Sequence, residues 1–235
     1  MAAHARIEIT PSEYVTAVAY PAAARTRAGI AVLLAHGAGG NQLSPFMVEF
    51  ASGLAERGID AVTFNFVYSE QKRRLPDRND KLEACYRAVI AAARSGALEP
   101  SLARSALAIG GKSMGGRIAS QVAAVDAEGI AGLVLLGYPL HPPGRPDQLR
   151  TKHLPAISVP MLIVQGERDA FGTPDELGPV LRGLKAKPQL YVVDAGDHSF
   201  KVPKSAGTPQ AQVHARVLDE VERWLRATVA GKRGS

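Results

Sequence analysis

LAIGGKSMGGRIAS, residues 107–120, carries an apolar run through a glycine-rich turn into a helical pattern. Two chemistries use such a junction. A GKS tripeptide before a helix is the end of the phosphate-binding pattern G-x-x-x-x-G-K-[ST], in which backbone N–H groups wrap an anion. The same residues also spell G-x-S-x-G, from Gly111 to Gly115, a turn that lifts a serine hydroxyl above a sheet. The phosphate pattern needs its first glycine at position 106, which is alanine, and gives Gly115 and Gly116 no role. The serine pattern uses the glycines on both flanks, because a sharp turn crowds the chain and glycine relieves the crowding. Ser113 is therefore read as a candidate nucleophile. A helix N-cap is the plainer role for a serine here, so partners elsewhere in the chain must decide.

Around this turn, short runs rich in Val, Ile and Leu alternate with longer segments of helical character, the pattern of a parallel sheet covered on both faces. Strands are expected at 14–20, 30–35, 60–66, 106–110, 132–136, 161–165 and 190–194, and helices at 45–57, 80–94, 114–125, 174–184 and 209–228. In the last helix Val217, Val221, Trp224 and Leu225 recur along one face, so Trp224 is assigned to core packing.

A serine nucleophile requires an imidazole base and a carboxylate to orient it. Downstream, QGERDAFGTP places Asp169 just beyond one expected strand, and DAGDHSF places His198 just beyond the next. The carboxyl ends of parallel strands share one sheet edge, where sites assemble, so Ser113, Asp169 and His198 are expected to converge. Upstream, LLAHGAGGNQLSP is a glycine-rich loop between a strand and a helix. Its backbone can approach a reacting carbonyl, with Ala38, or alternatively Gly39, offering an oxyanion N–H beside that of Met114.

With HGAGG, GKSMGG, GERD and GDHSF in that order, the chain resembles the α/β-hydrolase superfamily, and within it the small, nearly capless dienelactone-hydrolase-like group. The likeness runs from the strand at Ile30 to the last helix. It implies an α/β-hydrolase fold with a mostly parallel sheet of about seven strands and no large cap. It also implies a nucleophilic Ser113, a base His198, an orienting Asp169 and oxyanion N–H groups from Ala38 and Met114. Asp194 and Asp197 compete for the acid, and Asp169 is preferred because the loop after the penultimate strand is where this fold places it. Two departures stand out. Dienelactone hydrolases use cysteine as nucleophile, so lactone specificity does not carry over. Lys112 beside the nucleophile is a long cation, suited either to attracting acidic substrates or to lying over the surface.

The rest of the composition is consistent with this. The 235 residues, 46% of them hydrophobic, are expected to form one domain spanning 1–235. The net charge of +6 is dispersed, and its densest cluster, QKRRLPDRNDK, reads as a solvated loop and helix start, so no nucleic-acid partner is expected. Cys85 is the only cysteine, which excludes an intramolecular disulfide; a buried structural thiol is expected. Neither a secretory leader nor a run of about 18 apolar residues is visible, giving the expectation of a cytoplasmic protein without membrane contact. GKRGS reads as a frayed tail. No His, Asp or Glu grouping has metal-ligand spacing, and no cofactor is expected.

His36 is expected to shape its loop, His141 and His153 to be exposed and silent, and His4 and His214 to have no role. Phe66, Tyr68 and Tyr138 follow strands on the expected site edge and are assigned to a substrate pocket, with core packing as the alternative. The short connection between Leu136 and Met161 leaves an open cleft for modest substrates. The resulting expectation is a monomeric or dimeric serine hydrolase acting on a small-molecule ester or related acyl compound. The rival is a hydrolase-fold binding or scaffolding protein.

Overall fold

A computed structural model describes residues 3–229. One eight-stranded sheet runs through it in the order β1-β2-β4-β3-β5-β6-β7-β8. The strands are β1 (Ala3–Thr10), β2 (Glu13–Tyr20), β3 (Ile30–Ala35), β4 (Asp60–Phe64), β5 (Ala106–Lys112), β6 (Gly132–Leu136), β7 (Met161–Gly166) and β8 (Gln189–Val193). β1 pairs antiparallel with β2, and β2 antiparallel with β4; every other neighbouring pair is parallel.

Helices cover both faces, so the central strands must be apolar on both sides. All six residues of β3 are buried. Ala31, Leu33 and Ala35 enter one core with the buried faces of α3 (Asn79–Arg94), α4 (Met114–Val125) and α5 (Pro174–Arg182). Ile30, Val32 and Leu34 enter the other core with α1 (Pro45–Glu56) and α6 (Gln210–Thr228). Trp224 belongs to this second core and is 4% exposed.

Seven strands and all five helices fall where the sequence pattern puts them, with ends displaced by a few residues. β1 is the element the pattern does not show. Its sequence, AHARIEIT, intersperses charges with small residues because it lies at the sheet edge and, among its described side chains, buries only Ile7 deeply, opposite Val15. The run expected as strand through residue 66 ends at Phe64 and turns into a single helical turn, α2 (Val67–Glu70). The GKRGS tail lies outside the described residues.

Register brings the carboxyl ends of the strands to one edge. Ala35 pairs with Gly111, Lys112 with Leu136, and Gly166 with Val193. The glycines of the quoted stretch permit this close stacking. A Cβ on Gly110 would sit 1.8 Å from the Val134 carbonyl oxygen, and one on Gly115 would sit 2.2 Å from that of Ala35. Both obstacles are backbone and cannot swing aside. Gly115→Ala is therefore expected to push α4 off the tip of β3 and destabilise the protein by about 3 kcal/mol, at the upper end of ordinary overpacking, as measured by urea unfolding.

Candidate active site

Ser113 adopts φ 51° and ψ −116°, a conformation L-residues rarely take. Two backbone bonds hold it there: its N–H donates to Leu136 O (2.9 Å), and its carbonyl accepts from Arg117 N–H (3.0 Å). Although Ser113 occupies the N-cap position of α4, its side chain makes no capping hydrogen bond. The hydroxyl instead lies 2.8 Å from His198 Nε2. The plainer role considered for this serine is thus not the one it adopts.

His198 Nδ1 is 2.8 and 3.0 Å from the two carboxylate oxygens of Asp169. A carboxylate can only accept, so the proton belongs on Nδ1 and the Nε2 lone pair faces the Ser113 hydroxyl. Asp169 is buried, and its orientation is fixed by donors from Phe171 N–H (2.8 Å) and Gln165 Nε2 (2.8 Å). The competing acids do other things. Asp197 accepts from the N–H groups of Ser199 and Lys201 and so shapes the loop that carries His198; Asp194 is exposed.

Sequence reasoning did not single out Gln165. It sits fully buried near the end of β7, where its amide reaches the Tyr138 and Gly172 carbonyls as well as Asp169 and accepts from Tyr138 N–H. Its one legible signal is a polar residue closing an apolar strand. Phe171, also not foreseen, lies with its ring 4.2 Å from that of His198.

His36 shapes the glycine-rich loop as expected. Its Nδ1–H donates to Gly37 O (2.8 Å) and its Nε2 accepts from Phe66 N–H (3.3 Å). The second bond requires the neutral ring, and burial pushes its pKa down to about 4. Gly37 then passes so close that an added Cβ would touch Ser113 Cβ at 3.4 Å. Ala38 and Met114 both border the cleft that contains Ser113 and His198. Met114 is the first residue of α4, so its N–H has no partner within the helix.

That cleft has a volume of about 730 Å³. Its apolar walls include Phe46, Met47, Leu82, Pro139 and Phe171. Phe66, Tyr68 and Tyr138, expected to line it, do not. Each is at most 1% exposed, because the chain turns inward after β4 and β6: Phe66 and Tyr68 pack against the His36 ring, and the Tyr138 hydroxyl donates to Arg150 O (2.6 Å). The histidines of the 138–155 connection also depart from expectation. His141 is buried beside Glu176 (3.2 Å), and half-buried His153 meets Ser120 Oγ (2.8 Å). Cys85 is buried as expected, its thiol pushed up to about 12 by desolvation.

A model of the α/β-hydrolase domain matches residues 28–226. The chain belongs to the α/β-hydrolase family. Among solved structures it is similar to a dienelactone hydrolase from Anabaena variabilis (19% identity, TM-score 0.72, 97% of this chain and 98% of that one). It is also similar to an α/β serine hydrolase without a lid from Xanthomonas campestris (21% identity, TM-score 0.70, 97% and 93%). A third is an α/β serine hydrolase homologue from Coxiella burnetii (18% identity, TM-score 0.71, 95% of each). At these identities the likeness establishes the fold alone. Among the described residues of this α/β hydrolase, no cluster of His, Cys, Asp or Glu is arranged to hold a metal, and no helix is long and apolar enough to cross a membrane.

Lys112 of this hydrolase does not lie over the surface. It is 8% exposed, donates from Nζ to the His198 carbonyl, and lies beside the adjoining Phe46 and Phe200 rings, 5.7 and 5.6 Å from their centroids. Gly137 leaves room for it, since a Cβ there would come within 2.7 Å of Nζ. Desolvation lowers its pKa to about 8, against the pull of Asp169 and Asp197. A lysine whose folded pKa lies below its unfolded value disfavours folding while charged in both states. That penalty is relieved as pH rises from about 8 towards the ordinary 10.5. Across this window the Tm of the native protein is expected to gain on that of Lys112→Met, which calorimetry in a pH series measures.

Proposed function

We propose that this α/β hydrolase is a serine hydrolase that cleaves a carboxylic ester or related acyl compound through an acyl-enzyme. The observation that carries the reading is the unbroken hydrogen-bonded chain from Ser113 through His198 to buried Asp169, opening on the cleft. Ser113 Oγ attacks the acyl carbonyl carbon while His198 Nε2 takes the hydroxyl proton, and Asp169 stabilises the resulting imidazolium. The Met114 and Ala38 N–H groups donate hydrogen bonds to the carbonyl oxygen as negative charge develops on it. His198 then returns its proton to the leaving alcohol, and the ester bond breaks. A water, deprotonated by His198, attacks the acyl-enzyme, releasing the acid and regenerating Ser113.

An occluded cleft would have favoured a scaffolding role. The cleft is open to solvent, with the Ser113 side chain partly accessible at its floor. The strained backbone of Ser113 points the same way, since such strain persists where surrounding structure holds it for a purpose.

A fluorophosphonate probe is expected to add once to the intact protein, by mass spectrometry, and not to Ser113→Ala or His198→Ala. Full esterase activity retained by Ser113→Ala would overturn the reading. Asp169→Asn is expected to lower kcat by about 10⁴-fold, because an amide favours the wrong imidazole tautomer; p-nitrophenyl ester hydrolysis measures it.

A further inference from the structure

Arg117 and Arg150 border the same cleft as Ser113 and His198. Neither guanidinium is paired with a carboxylate among the described residues. Arg117 reaches only the side-chain oxygens of Asn79 (3.2 Å) and Gln121 (3.4 Å), and Arg150 only the Pro139 carbonyl (3.5 Å). Burial, followed by the neighbouring charge of Arg150, lowers the pKa of Arg117. Two like charges held near each other at a half-buried site are costly unless an anion joins them.

The acids nearby are already engaged. Asp77 accepts from Arg73 and from Tyr68 N–H, Glu49 from His214, and Glu83, whose charge also reaches Arg117, from Arg87. The cleft therefore contains two guanidinium groups with donors to spare. Arginine presents those donors in a planar fork that matches a carboxylate.

We infer that Arg117 and Arg150 form an anion subsite that selects acyl groups bearing a terminal carboxylate, such as the half-esters of short dicarboxylic acids. This inference rests on the acyl-enzyme reading above. Arg117 follows Ser113 by one turn, its N–H donating to the Ser113 carbonyl (3.0 Å), and both residues border the cleft. That nearness calls for a short acyl chain, and glutarate, with its two carbonyl carbons a few methylene groups apart, is the probe chosen.

The experiment compares kcat/KM for p-nitrophenyl hydrogen glutarate and p-nitrophenyl valerate, which match in chain length and differ in the terminal charge. The native protein is expected to prefer the glutarate ester by about tenfold or more, the worth of one charge-assisted hydrogen bond. Arg117→Gln and Arg150→Gln should each collapse that ratio, Arg117→Lys should restore part of it, and the exposed control Arg145→Gln should leave it in place. A native ratio near or below one, or equal losses on both esters in the Gln variants, would overturn the subsite. Calorimetric titration of Ser113→Ala with methyl hydrogen glutarate, against methyl valerate, reads the subsite without turnover. If the native protein takes no fluorophosphonate label and cleaves neither ester, the acyl-enzyme reading fails. Arginine-dependent glutarate binding would even then support the subsite, and its absence would overturn that too.

Discussion

The left-handed turn at Ser113 is the constraint on which the site depends. A residue at φ 51° is held only if the chain on either side is locked. Here the lock is close backbone packing: Gly110 against Val134, and Gly111 and Gly115 against Ala35. These contacts fuse the ends of β3, β5 and β6 with the start of α4 into one rigid unit. The hydroxyl is raised above the sheet edge, and the first N–H groups of α4 are left facing the same space. Strand register then carries the other two residues of the proposed triad to that edge, on loops that follow β7 and β8.

A second layer keeps those loops in place. Gln165 ties Asp169 to the Tyr138 segment, Asp197 folds the His198 loop on itself, and Lys112 reaches from the end of β5 to the His198 carbonyl. All three are polar groups that sit wholly or partly out of water, and each is satisfied within the protein, as burial requires. Lys112 is the cation among them. Its amine joins the strand bearing the proposed nucleophile to the loop bearing the proposed base, so the two halves of the proton path share a fastening. The cleft beside them is apolar along α1 and cationic along α4 and the 138–155 connection.

Much of this was legible in residue order. Period and composition located seven strands, the central ones because parallel strands buried on both faces are apolar throughout, and the glycine pattern located the turn because no other residue fits there. Asp169 and His198 were legible as residues placed just beyond strand ends. β1 was not, because a one-sided edge strand carries charges and lacks the apolar run that marks its neighbours. The aromatic residues after β4 and β6 were misread for a related reason: a strand end tells which edge a segment leaves from, and says nothing of whether it then turns inward. Phe66, Tyr68 and Tyr138 turn inward.

The sequence by itself determined the layered α/β architecture and the position of the sharp turn, because the one rests on local periodicity and the other on a steric requirement only glycine meets; it also showed Asp169 and His198 as residues just beyond strand ends that share the edge of Ser113. Tertiary structure alone decided what lines the cleft, where Lys112 goes and that Arg117 and Arg150 border it together. Those outcomes depend on side chains more than 20 residues apart meeting in a low-dielectric space, where burial and partnership, which no local pattern encodes, set the cost of every polar group.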